Sequence, residues 1–198
     1  KHENACFRDA ARELAGVRDA DVMLETLAAL KLRGGAPELR SALEAHRGRD
    51  RAGDRSAASL RVVAVLGDAL GRVRDWPLER DSLGAVAGGL ERSYRRGRRE
   101  LRAARSAPSV EGLHEWRKRV KELWYHHTLL RQAWPPVMEA VGDDAHELAD
   151  ALGDDHDLAV LADWARERGF DTPELLDALE RRREELQACA FELGERLY

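Results

Sequence analysis

Between His114 and Tyr125 the chain reads His-Glu-Trp-Arg-Lys-Arg-Val-Lys-Glu-Leu-Trp-Tyr. At about 100° per residue, His114, Arg117, Lys118, Lys121 and Tyr125 fall on one helix face, spaced i, i+3, i+4, i+7 and i+11. The opposite face carries Trp116, Val120, Leu123 and Leu130. The segment therefore has an apolar stripe to pack with and a basic stripe across from it. Like charges at these spacings destabilise a helix by about 0.2–0.5 kcal/mol per pair. The nearby acids, Glu115 and Glu122, lie off the stripe. A bound anion offsets that repulsion, and phosphate suits it best. Guanidinium groups fork onto phosphate oxygens, Lys adds a point charge, and His and Tyr donate to the same oxygens.

A second basic run precedes it. Residues 92–105 hold Arg92, Arg95, Arg96, Arg98, Arg99, Arg102 and Arg105 against Glu100 alone. Arg95, Arg98, Arg102 and Arg105 share one flank of a helix whose apolar stripe is Leu83, Leu90, Leu101 and Ala104, with Gly97 inside it. A short turn at Pro108 predicts antiparallel packing of the two basic helices, with both rows near one another. Such a lined groove fits a chain of phosphates better than a single one.

The rest of the chain must position these rows. It has 198 residues, 43% hydrophobic and 35% charged, rich in Ala, Leu, Arg and Glu, which predicts an all-α protein. The punctuation predicts helices over 3–15, stopping at Gly16; from Asp19 to the Gly34-Gly35 pair; over 38–47, opened by Pro37; and over 56–75, with Leu60, Val63, Leu66, Leu70 and Val73 toward a core and Pro77 as the stop. Further helices are expected over 81–105, 109–133, 137–152 and 155–168, then from Thr172-Pro173 nearly to Tyr198. Residues 48–54 read as a loop. Trp76, Trp134 and Trp164 are expected to cover core edges, and His127 to be a satisfied core histidine. No apolar run approaches the roughly 18 residues that span a bilayer. Cys6 and Cys189 lack metal-ligand spacing and read as buried thiols, which points to a cytoplasmic protein.

The net charge of −4 disfavours a general nucleic-acid binder, as does a basic row whose one aromatic is Tyr125. Residues 139–163 carry nine acids and no Lys or Arg, so the basic charge is local. His156-Asp157 is the seed of a rival reading, an HD-type metal-dependent phosphohydrolase acting on polyphosphate or nucleotides. That site needs further ligands, and His126, His127 and His146 have no spacing that singles them out. Helix capping by Asp157, His156 paired with an acid, and a solvated acidic turn account for 154–157. No EF-hand, glycine-rich phosphate loop or nucleophile motif is present. A short internal repeat relates Leu14–Met23 to Leu152–Leu161 at an offset of 138 residues (152 − 14). Each copy reads as a helix end, a tight turn, and a basic residue followed by Asp. The counterpart of the His114 helix would fall upstream of Lys1.

The stretch from His114 to Tyr125 resembles the signature helix of the CHAD family (conserved-histidine α-helical domain). The run from Tyr94 to Arg99 resembles the family's preceding helix. Arg18-Asp19-Ala-Asp-Val22 and His156-Asp157 resemble its two basic-Asp turns. The resemblance begins at about Phe7 and implies two pseudo-symmetric antiparallel helical bundles flanking a basic groove that holds inorganic polyphosphate, without catalysis. It implies ligand contacts from Arg98, His114, Arg117, Lys118 and Lys121, joined by Arg18, Arg95, Arg102 and Tyr125, and no metal or cofactor. Polyphosphate granules or a fused or partner phosphate-processing enzyme are the implied associates. The departure is the missing N-terminal basic helix. The chain is thus expected to be one domain with a truncated first repeat over 1–77 and a second repeat over 78–198.

Overall fold

The computed structural model describes residues 2–32, 34–51, 55–76 and 84–198. Among them are seven helices and no strand: α1 His2–Ala29, α2 Pro37–Arg51, α3 Arg55–Arg74, α4 Gly84–Ser106, α5 Val110–Leu130, α6 Pro135–Glu167 and α7 Pro173–Leu197. The expectations at Pro77, Asp81 and Leu83 fall outside the described residues. The chain divides into two compact units, Lys1–Glu79 and Arg80–Tyr198.

In the first unit α1 packs against α2 and α3. Its seam is Ala20, Met23, Leu24 and Leu27, all buried and spaced i, i+3, i+4 and i+7, and α2 answers with Leu39 and Leu43. Pro37 opens α2, where its missing N–H costs nothing. Two expectations are corrected. The backbone stays helical through Gly16, so 3–15 and the segment from Asp19 are one helix. The apolar stripe of α3 does not enter the core: Leu60, Val63, Leu66 and Leu70 are exposed, and Val62 and Ala69 are buried instead. The reason is ionic as much as apolar. Arg72 forks onto Glu3 at 2.7 and 2.9 Å, and Arg61 bonds Glu13 at 2.6 Å. Those bridges fix which edge of α3 meets α1.

In the second unit α4, α5, α6 and α7 follow one another antiparallel, and α7 returns to touch α4. This is up-down-up-down bundle packing. Trp116, Val120, Leu123, Leu148, Leu152, Leu161 and Leu179 fill its interior. Gly194 lets α7 close on the Trp116 ring; a Cβ there would come within 2.6 Å of it. The α5 start is set by Ser109, whose Oγ accepts from the Gly112 N–H at 3.0 Å. Thr172 does the same for α7 through the Leu175 N–H at 3.3 Å. The expected break between 152 and 155 does not exist: α6 runs unbroken through Gly153. The tight-turn reading of both repeat copies is therefore corrected to helix interior. His127 is buried and its Nδ1 meets the Leu123 carbonyl at 2.9 Å, as a core histidine should. Trp164 is buried, whereas Trp76 and Trp134 are exposed. Cys189 is exposed and Cys6 half-buried, which corrects the expectation of buried thiols. No described helix is long and apolar enough to cross a membrane.

Candidate functional site: the basic face of α5

Helix α5 sits between α4 and α6. Its Trp116, Val120 and Leu123 point inward, which by helical period turns His114, Arg117, Lys118, Lys121 and Tyr125 away from the bundle centre. Four contacts carry α5 along α6 in antiparallel register. His127 meets Gly142, and Trp124 sets its ring edge-on to His146, centroids 4.3 Å apart. Arg117 then lies on Gly153, and His114 meets His156, ring centroids 4.4 Å apart. So the N-terminal half of the basic row borders α6.

Each member has its own setting. A Cβ at Gly153 would lie 2.9 Å from an Arg117 terminal nitrogen, and the Arg117 Nε is buried without a hydrogen-bond partner. Lys118 donates to Glu115 at 2.5 Å, which corrects the reading of Glu115 as lying clear of the row. Lys121 lies over the exposed Tyr125 ring, 6.0 Å from its centroid. Among the described residues no carboxylate reaches ion-pair distance of Arg117 or Lys121. These two cations carry the uncompensated charge of the face.

The α4 arginines go elsewhere. Arg105 pairs with Glu195 of α7 and lies over Phe191. Arg98 and Arg102 are exposed on the same flank of the helix. Arg95 pairs with Glu91 at 2.6 Å on its own helix. At Arg105 the α4 row thus meets α7 rather than α5, and Gly97 and Leu101 face inward toward Tyr198 and Gly194. Arg18 lies on α1, and its side chain is outside those described.

Sequence reasoning missed three contributors. His156 was assigned an acid partner, yet its Nδ1 is buried without a partner and its ring faces His114. Asp155 was read as part of a solvated turn, yet it is 1% exposed. It accepts from Arg183 at 3.0 and 3.4 Å and from Gln187 at 2.8 Å, tying α6 to α7 directly beside His156. Gly153 was read as a turn, and it is instead the seat of Arg117. The signal that could have found Gly153 and His156 is the α6 seam Gly142, His146, Gly153 and His156, spaced i, i+4, i+11 and i+14, which is a helical period.

Charge and burial act together here. Burial, then the charges of His156, Lys118 and Arg117, hold the His114 imidazole below its usual range. Burial, then Arg117, does the same to His156. On the next face of α6, Asp154 is raised above the ordinary carboxylate range by burial and by Asp157 and Asp150, while Arg182 and then Arg117 pull it back. The positive face thus borders an acidic one. Two concavities of this unit lie off the row. One, about 440 Å³, is apolar and lined by Leu90, Leu123, Leu130, Met138 and Val141. The other, about 360 Å³, lies between the α5 start and α7, beside Arg183 and Gln187. Among the described residues no group of three His, Cys, Asp or Glu side chains is placed to hold a metal ion.

The structure is thus a helical bundle that sets His114, Arg117, Lys118 and Lys121 along one face of α5. The chain belongs to the CHAD family: the model of the CHAD domain matches residues 1–166. The match takes in α1 to α5 and nearly all of α6. Neither a curated protein nor a solved structure matches the chain.

Proposed function

We propose that the protein binds inorganic polyphosphate along the basic face of α5 and performs no catalysis itself. The CHAD family is known for polyphosphate binding, and the chemistry of this face supports the same ligand here. One observation carries the reading: Arg117 and Lys121 sit one turn apart and, among the described residues, neither has a carboxylate at ion-pair distance, whereas Lys118 and Arg119 between them are each paired. Arg117 and Lys118 address oxygens on one stretch of the ligand, Lys121 and Tyr125 on the next, and His114 closes the N-terminal end. A repeating anion matches a repeating row. Arg98, Arg95 and Arg102 are proposed as secondary contacts for a chain long enough to reach beyond α5. The partners proposed are polyphosphate granules or a phosphate-processing enzyme, and the location is the cytoplasm.

Polyanion binding releases counterions, so affinity must fall steeply and log-linearly with salt. Fluorescence anisotropy of end-labelled long-chain polyphosphate across a salt series tests this. A steep negative slope supports the reading, and a flat one contradicts it. Measuring orthophosphate release with Mg²⁺ or Mn²⁺ in the same samples tests the absence of catalysis; turnover would replace the binding function with a hydrolase.

A further inference from the structure

Two imidazoles from neighbouring helices face one another at the N-terminal end of the row. The His114 and His156 ring centroids are 4.4 Å apart, with 36° between the planes. Both Nδ1 atoms are buried without a hydrogen-bond partner, and so is the Nε of Arg117 beside them. Buried polar nitrogens are almost always partnered. Three partnerless nitrogens, on two rings and the guanidinium beside them, mark a place where the described residues supply no partner.

The charges around the pair come from three helices. On α5 they are Glu115, Arg117 and Lys118. On α6 they are Asp155 and, facing Arg117, Asp154. On α7 it is Arg183. Asp155 is engaged by Arg183 and Gln187, and Glu115 by Lys118. Arg117 is left as the cation beside the rings with no carboxylate at ion-pair distance among the described residues. Two imidazolium ions at this separation beside a guanidinium repel strongly, so the rings titrate as a coupled pair. Burial and these cations already hold both below the usual imidazole range.

We infer that His156 belongs to the anion site and shares a proton with His114: a phosphate oxyanion seated against Arg117 draws one proton from solvent onto the pair, whose N–H groups then donate to it. The anion removes the repulsion that kept the rings neutral, and its release returns the proton to solvent. The inference rests on the reading of the α5 face as a phosphate site, and it adds a residue from α6 and a proton to that reading.

The test is calorimetric titration of long-chain polyphosphate, whose internal phosphates do not titrate near neutrality, in buffers of different ionisation enthalpy at pH 7. The expected result is uptake of up to about one proton per site, abolished in His114→Gln and in His156→Gln, with affinity falling several-fold in His156→Gln at pH 6 and less at pH 8. Binding without proton uptake overturns this inference and leaves the polyphosphate reading standing. Uptake undiminished in His156→Gln also overturns it. No binding by the unsubstituted protein overturns both. Histidine-ring NMR of the unsubstituted protein is independent of how the variants fold. Coupled titration of His114 and His156, with both shifted by polyphosphate, supports the pair; two independent titrations unmoved by polyphosphate contradict it.

Discussion

The guanidinium of Arg117 rests on Gly153, where a Cβ would approach its terminal nitrogen to 2.9 Å. The neighbour that must yield is the far end of a flexible side chain, and Ala is favoured over Gly inside a helix by about 1 kcal/mol. Gly153→Ala is therefore expected to leave thermal stability unchanged or raised while displacing Arg117 and weakening polyphosphate binding several-fold. Gly194→Ala is the contrast: its Cβ would meet the Trp116 ring and Leu101, and overpacking should cost about 1–3 kcal/mol. Urea unfolding and a binding isotherm on both variants separate the two roles.

Asp155 holds α6 to α7. The residue is 1% exposed, and its carboxylate accepts from Arg183 and Gln187. Removing one member of a buried pair strands the other. The Arg183 side chain retains 24% exposure, so the loss falls short of a fully buried pair. Asp155→Ala is expected to cost about 2–4 kcal/mol in denaturant unfolding. A cost below about 0.5 kcal/mol would show that the bridge is not structural.

His114 and His156 both have folded values held below the ordinary imidazole value of 6.5. The unfolded chain then binds more protons than the folded one just below that pH. Stability is accordingly full above pH 6.5 and declines as pH falls toward the folded values. Bound polyphosphate favours the protonated rings and should reverse the trend. Melting temperatures between pH 8 and pH 5 are expected to fall without ligand and to fall less with it, and apparent affinity should rise over the same descent. Parallel curves with and without ligand would contradict this.

Asp154 faces Arg117 and is crowded by Asp150 and Asp157. Its charge opposes a polyanion at the same place. Asp154→Asn should tighten polyphosphate binding about two- to five-fold at low salt, an effect of less than about 1 kcal/mol, and the gain should shrink as salt screens it. Weaker binding in this variant would mean that Asp154 orients Arg117 rather than repelling the ligand.

The helix class and the basic face could be read from the sequence because both depend on period alone. Ser109 and Thr172-Pro173 marked helix starts by chemistry that acts within one turn. What could not be read depended on partners. Gly16 and Gly153 look like helix ends, and a glycine needed for close packing looks the same in sequence as a glycine that stops a helix. Leu60, Val63, Leu66 and Leu70 gave α3 a plausible core face, yet Arg61 and Arg72 rotated a different edge onto α1. The direction of Arg105 was set by Glu195, ninety residues downstream, and by Phe191 on the same helix. His156 and Asp155 were hidden for the same reason, since their neighbours His114 and Arg183 lie on other helices.

The central claim is that the α5 face binds polyphosphate, and replacing its cations tests it most directly. Long-chain polyphosphate is titrated at fixed salt against the unsubstituted protein and against the Arg117→Ala/Lys118→Ala/Lys121→Ala variant, with circular dichroism confirming that both are folded. The account predicts at least about ten-fold weaker binding and a shallower salt dependence in the variant, since fewer counterions are released. Equal affinity and equal salt slope in the two proteins would contradict it.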